Sequence, residues 1–238
     1  MTAKGDYHPS VPRVPSAQTR AGRRQRRPLA RARKIGDRLA VAYPGTATDL
    51  CALTHYSPFE LLVATILSAQ CTDERVNLVM PVLFNLYPTP QAMATADREE
   101  LESVIRSTGF FRSKASHIQA ASEATVLRHN GEVPRTMEEL TALAGVGRKT
   151  ANVVLSVAFN LPGLPVDTHV TRLSRRLGLS GSSDPVVIEQ DLCELFPPQL
   201  WGVISLRLIL HGRRVCDARH PRCGVCELAD ICPSRGKF

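Results

Sequence analysis

From about Pro28 onward, apolar residues recur at spacings of three and four, and no alternating stretch is long enough to make a strand. The pattern predicts an all-α protein. Helices are expected near 29–43, 58–69, 73–86, 98–107, 113–129, 136–143, 148–160, 168–178, 185–195 and 200–213. Turn signals fall at Pro44-Gly45, Asn130-Gly131 and Pro162-Gly163. Thr136 and Glu139 have capping-box spacing, and Asp184 stands as a cap just before Pro185 at a first helical position. The longest apolar stretches, around Leu61 to Leu67 and Val153 to Phe159, have the length of core helices, so no membrane partner is expected.

With 238 residues, 43% of them hydrophobic, the chain can build one large core or two small ones without disulfides. The formal charge of +8 is unevenly spread. Residues 1–34 hold ten of the 30 Lys and Arg but one of the 22 acids, which leaves twenty against twenty-one in the rest. A nearly neutral body cannot hold a polyanion by bulk charge; it needs helix N-termini, backbone N–H groups and a few placed cations. Residues 1–27 read as a disordered basic arm, either a phosphate-tracking anchor or merely solvated. Their Arg-rich, acid-poor character also leaves organelle targeting open, although no clean amphipathic stripe is present.

Leu143-Ala144-Gly145-Val146-Gly147-Arg148-Lys149-Thr150-Ala151 joins a short helix to an apolar one through two glycines flanking a valine. Glycines permit positive φ and close backbone approach, so N–H groups opening the second helix can converge on a phosphate oxygen. Val146 is expected to plug this helix-hairpin-helix into the core. The hairpin implies DNA binding rather than catalysis, and Lys149 by itself reads equally as a phosphate contact.

Asp167, in Pro165-Val166-Asp167-Thr168-His169, follows the next loop. A helix from 148 to 160 rises roughly 20 Å, and six extended loop residues at about 3.3 Å each can bring the chain back to Lys149. An Asp before a helical run is also an ordinary N-cap, and a capping carboxylate is held rigidly enough to serve both purposes.

Cys216, Cys223, Cys226 and Cys232 follow C-x6-C-x2-C-x5-C, while Cys51, Cys71 and Cys193 stand alone. Seven is an odd count, which argues against a secreted disulfide framework and for a reducing compartment with four thiolates on a metal centre. Ligand chemistry leaves zinc and a [4Fe–4S] cluster both open. The loop between the first two cysteines offers Arg219 and Arg222 as candidate phosphate contacts.

Four segments together, Gly145 to Leu155, Val166-Asp167-Thr168-His169, Leu208-Ile209-Leu210-His211-Gly212-Arg213 and the cysteine knot, closely resemble the endonuclease III family over about residues 28–238. The resemblance implies two helical domains with a DNA-binding cleft between them. A six-helix domain would span 51–161, and 28–50 with 162–238 would form the cluster domain. It favours a [4Fe–4S] cluster on the four cysteines over zinc. It implies excision of oxidised pyrimidines from double-stranded DNA by base flipping, then β-elimination at the abasic site, with Lys149 as nucleophile and Asp167 as its catalytic partner.

The same resemblance sets Gln70, Gly145, Val146, Gly147, Arg148, Thr150 and His169 against the DNA, with Gln70 filling the space of the flipped base. Phe110 stands where the family places an apolar wedge, more often Leu. Apart from the family, Gln70 reads as an ordinary helix end and Phe110 as a core residue. A monomer is expected, located in the cytoplasm with the nucleoid if the source is bacterial. The nearest enzymatic rival, an adenine glycosylase acting opposite oxidised guanine, usually lacks a lysine at the position of Lys149 and has a further C-terminal domain, whereas here six residues follow Cys232. A rival of another class is a non-catalytic DNA-binding module with a structural metal.

Overall fold

Helix α3 (Pro58–Leu67) is buried on every side from Leu61 to Leu67, and the first of two cores is built around it. The structure, a computed structural model, describes the backbone of residues 17–237 and side chains from Pro28 onward. Twelve α-helices run through these residues: α1 (Ala17–Ala42), α2 (Ala47–Leu50), α3, α4 (Asp73–Leu86), α5 (Pro90–Ala94), α6 (Arg98–Ile105), α7 (Phe111–His129), α8 (Met137–Thr141), α9 (Arg148–Val153), α10 (Thr168–Arg176), α11 (Pro185–Leu195) and α12 (Trp201–Arg214). No strand occurs among the described residues. No helix among them is long and apolar enough to cross a membrane.

The first core gathers buried residues from Ala47 to Val157 together with Leu206. The second joins Ala32, Ile35 and Leu39 of α1, and Tyr43 just after it, to residues from Leu164 to Leu208 and to Leu228. Helix α12 is the shared wall: Leu206 belongs to the first core, Ile204 and Leu208 to the second, and Ile209 packs on both. Arg38 fastens α1 to the C-terminal segment by donating to the Glu227 carbonyl at 2.8 Å and to the Asp230 carboxylate. That guanidinium holds the Asp230 carboxyl down at about 2.

Local signals account for most helix starts. Thr136 accepts from the Glu139 N–H, Asp184 accepts from Val186 and Val187 N–H, and Pro185 sits in the first turn. Asn130 and Gly131 both take positive φ at the end of α7.

Three differences from the expected pattern have physical reasons. Helices α2 and α5 were not expected; four and five residues are too few for a periodic signal, and each is started by a threonine cap, Thr46 and Thr89. Helix α1 begins at Ala17 rather than 29, so residues 17–27 of the expected basic arm continue a helix, and residues 1–16 lie outside the described residues. The expected helix 148–160 changes pitch, with α9 giving way to a π-helical turn at Val154–Ala158.

Candidate functional site

The hairpin between α8 and α9 is held from below. Leu140, Leu143 and Val146 are buried, and the Val146 N–H is closed within the hairpin on the Leu143 carbonyl at 3.2 Å. Gly145 takes φ +74°, and a Cβ there would lie 2.7 Å from Cβ of His117 on α7, so both backbone and packing require glycine. Gly147 differs: its φ is −90°, and nothing lies within 4 Å of a Cβ built on it. Among the described residues nothing demands a glycine at 147; its bareness leaves open space in front of the first turn of α9. That turn has no side-chain cap, which leaves its leading N–H groups to an outside acceptor.

Lys149 is exposed in this first turn, Thr150 half-buried behind it. Asn152, one turn on and on the same face as Lys149, is 2% exposed and anchors the returning loop. Its Oδ1 accepts from the Leu164 N–H at 3.2 Å, and a Cβ on Gly163 would meet the Asn152 carbonyl at 2.6 Å. Ser205 of α12 donates to the Pro165 carbonyl and holds the loop from the other side.

The chain thus comes back alongside α9, about 4.5 Å of helix axis from Lys149, with two residues, Pro165 and Val166, left before Asp167. Asp167 then caps α10 through Oδ1, which accepts from the Val170 N–H at 2.8 Å. Among the described residues neither Lys149 nor the second carboxylate oxygen of Asp167 has an ion pair or hydrogen bond.

Arg148, expected at the DNA, is turned to a protein partner. Its Nε and Nη2 donate to both oxygens of Glu189 on α11, at 2.8 and 2.7 Å. The reason is the fold: Glu189 is 8% exposed and belongs to the half of the molecule around the second core. His169 packs on Gly212, where a Cβ would lie 3.1 Å from the His169 Cβ, and its Nδ1 is 3.1 Å from Arg172 Nη2. Burial lowers its pKa.

Gln70 and Phe110 depart from the readings the residues alone allowed. Both adopt left-handed backbone, φ +53° and +48°, which costs a non-glycine residue about 1 kcal/mol or more. Gln70 is exposed on the turn between α3 and α4, and Phe110, no core residue, is 67% exposed ahead of α7. The residue that sequence reasoning missed lies between them. Lys114 is 4% exposed, and its Nζ donates to the carbonyls of Leu67 and Thr108 at 2.7 Å each. A lysine within a helix reads as solvent-facing, and nothing local signals its burial.

Cys216, Cys223, Cys226 and Cys232 are half-buried, free of disulfides, and line one small cavity walled by Leu173, Leu177 and Val215. Several N–H donors reach these sulfurs: Arg176 to Cys216 at 3.3 Å, the Leu228 backbone to Cys226 at 3.4 Å, with His211 Nε2 at 3.4 Å from Cys226. Four soft donors with N–H groups aimed at sulfur suit a thiolate-held cluster. Between the first two cysteines, Asp217 accepts the N–H groups of His220 and Arg219 at 2.7 and 3.0 Å, bonds that hold its carboxyl low. The loop so shaped presents Arg219 and Arg222 to solvent.

Known proteins share these features. The HhH-GPD superfamily of base excision DNA repair proteins matches residues 63–198, and the iron–sulfur binding domain of endonuclease III matches 216–232. Endonuclease III of Synechocystis sp. is 57% identical over 193 residues, 81% of this chain and 87% of that one. A non-covalent endonuclease III–DNA complex has a TM-score of 0.82 at 43% identity, covering 88% of this chain and 97% of that chain. A trapped endonuclease III–DNA covalent intermediate matches equally, at a TM-score of 0.82 and 43% identity over 88% and 97% of the two chains. On this agreement of sequence, fold and cysteine spacing, the chain belongs to the endonuclease III family of helix-hairpin-helix base-excision repair proteins, as a DNA N-glycosylase with AP lyase activity and a [4Fe–4S] cluster.

Proposed function

We propose that this protein, acting as a monomer, excises oxidised pyrimidines such as thymine glycol from double-stranded DNA and cleaves the abasic site through a Schiff base on Lys149. The observation that carries this reading is the exposed, unpaired Lys149 opening the helix after the hairpin, with a loop docked on Asn152 leading back to Asp167. An unpaired lysine at that point is also what the adenine-glycosylase alternative lacks.

In this reading N–H groups at the start of α9 hold a DNA phosphate in the space beside Gly147. Gln70 fills the gap in the stack and Phe110 presses on the opposite strand while the damaged nucleotide turns outward. Lys149, as a neutral amine, attacks C1′, and the base leaves with the glycosidic electron pair and takes up a proton. Ring opening gives an iminium that acidifies the C2′ proton; its loss expels the 3′ phosphate, and water then releases the lysine. Asp167, fixed by its capping bond, keeps one oxygen to accept the lysine proton and to balance positive charge on the sugar.

When bound, the cluster cross-links the C-terminal segment. Arg219 and Arg222, on the loop it closes, then meet backbone phosphates. Residues 51–161 form the domain carrying the hairpin, and 28–50 with 162–238 form the cluster domain, with DNA in the cleft. Borohydride added to the protein with thymine-glycol duplex tests the reading: a covalent adduct is expected with the unaltered protein and none with Lys149→Gln. No adduct with either refutes it.

A further inference from the structure

Burying an ammonium group is costly unless its protons are satisfied. Lys114 meets that cost in an unusual way, because no carboxylate pairs with it among the described residues. Its partners are two main-chain carbonyls, each belonging to a different turn. Leu67 ends α3, three residues before Gln70. Thr108 ends a 3-10 turn two residues before Phe110, and its own hydroxyl is tied back to the Ile105 carbonyl at 2.8 Å. The Lys114 N–H bonds the Phe110 carbonyl at 3.0 Å, so one residue grips the Phe110 turn on both sides.

The two turns share a peculiarity. Each carries a non-glycine residue in left-handed backbone with its side chain held out to solvent. Such conformations persist only where surrounding bonds over-determine them. Among the described residues neither Gln70 nor Phe110 has a side-chain hydrogen bond; backbone bonds from Cys71 to Ser68 and from Lys114 to Phe110 close each turn locally, and the Leu67 and Thr108 carbonyls that meet at Lys114 tie one turn to the other. A methionine of similar length would fill the same space without a buried charge, but could not tie the two turns together.

We propose that Lys114 is a positioning residue for base extrusion, its buried ammonium setting the spacing between the turn that carries Gln70 and the turn that carries Phe110. The inference rests on the reading that these two side chains enter the duplex. It deepens that reading by assigning their relative placement to one internal side chain.

The test uses the cluster-loaded protein and two substrates: a thymine-glycol duplex, which must be opened, and a single-stranded abasic oligonucleotide, which has no stack or partner strand to breach. Lys114→Met is expected to slow single-turnover excision from the duplex by about 100-fold, the scale of a small misplacement of contacting groups. Cleavage of the single strand should stay within about threefold of the unaltered protein, since Lys149 is untouched. In a Gln70→Ala/Phe110→Ala background the Lys114→Met change should add nothing, because the groups it positions are gone.

Equal losses on the two substrates, or an undiminished loss in that background, would overturn the proposal. If Gln70→Ala/Phe110→Ala itself excises normally, the reading of those two side chains fails whatever Lys114 does. Should Lys114→Met lose its visible absorbance or melt early, Lys114→Gln carries the same prediction, because its side chain is uncharged and one bond shorter and cannot hold both carbonyls at their present spacing. Unfolding of both variants would make Lys114 a stability residue only and would equally overturn it.

Discussion

Arg148 and Glu189 lie 41 residues apart and meet through two parallel hydrogen bonds of 2.8 and 2.7 Å, joining the hairpin helix α9 to α11. The pair crosses from one half of the molecule to the other. Glu189→Gln should therefore loosen the join and free the guanidinium. The Arg148 side chain is half-exposed, so the loss should lie near a surface value, about 1 kcal/mol, well below the 3–5 kcal/mol of a fully buried pair. Urea unfolding of Glu189→Gln, Arg148→Met and the double variant measures it, and additive losses would deny the coupling.

Asp167 both caps α10 and is proposed to act on the sugar, and substitution can separate the two roles. Asparagine is a good N-cap, so Asp167→Asn should unfold within a few tenths of a kcal/mol of the unaltered protein while excision falls about 100-fold or more. Asp167→Ala should lose the activity and, in addition, about 1 kcal/mol of stability. Comparable stability losses in the two variants would mean that the Val170 N–H bond contributes little.

Tyr87 is buried and donates to Glu100 at 2.6 Å; burial first, then that bond, push its pKa up to about 12. An unfolded tyrosine ionises near 10, so the contribution of Tyr87 is fully present below about pH 10 and is lost as pH rises towards 12. Titration followed at 295 nm should show a component near pH 12 that Tyr87→Phe removes. The stability gap between Tyr87→Phe and the unaltered protein should close over the same interval.

Arg219 and Arg222 are expected to act as phosphate contacts on a loop that the cluster closes. Each contact contributes about 0.9 to the slope of log affinity against log salt concentration, so Arg219→Ala/Arg222→Ala should flatten that slope by about 1.8. Cys223→Ser should abolish the broad visible absorbance of the cluster and flatten the slope by a similar amount. An unchanged slope in the double variant would make the loop a solvated feature only.

The sequence by itself determined whatever depends on near neighbours along the chain. Helical class, the caps at Thr136 and Asp184, the turn at Asn130-Gly131, the hairpin glycines and the four-cysteine spacing were legible because each is a pattern within a few residues. A return of the chain alongside α9 was permitted by chain length, but the contact that fixes it, Leu164 on Asn152, spans 12 residues.

Tertiary structure alone decided the rest. Arg148 is paired with Glu189 because a helix of the other half approaches it, and Phe110 and Gln70 took left-handed backbone that no local rule for bulky residues favours. Lys114 became an interior clamp because α3 and the 3-10 turn bring two carbonyls to one point across 47 and 6 residues. A charged side chain enters a core only where such distant partners converge, and convergence is a property of packing that no single segment of sequence carries.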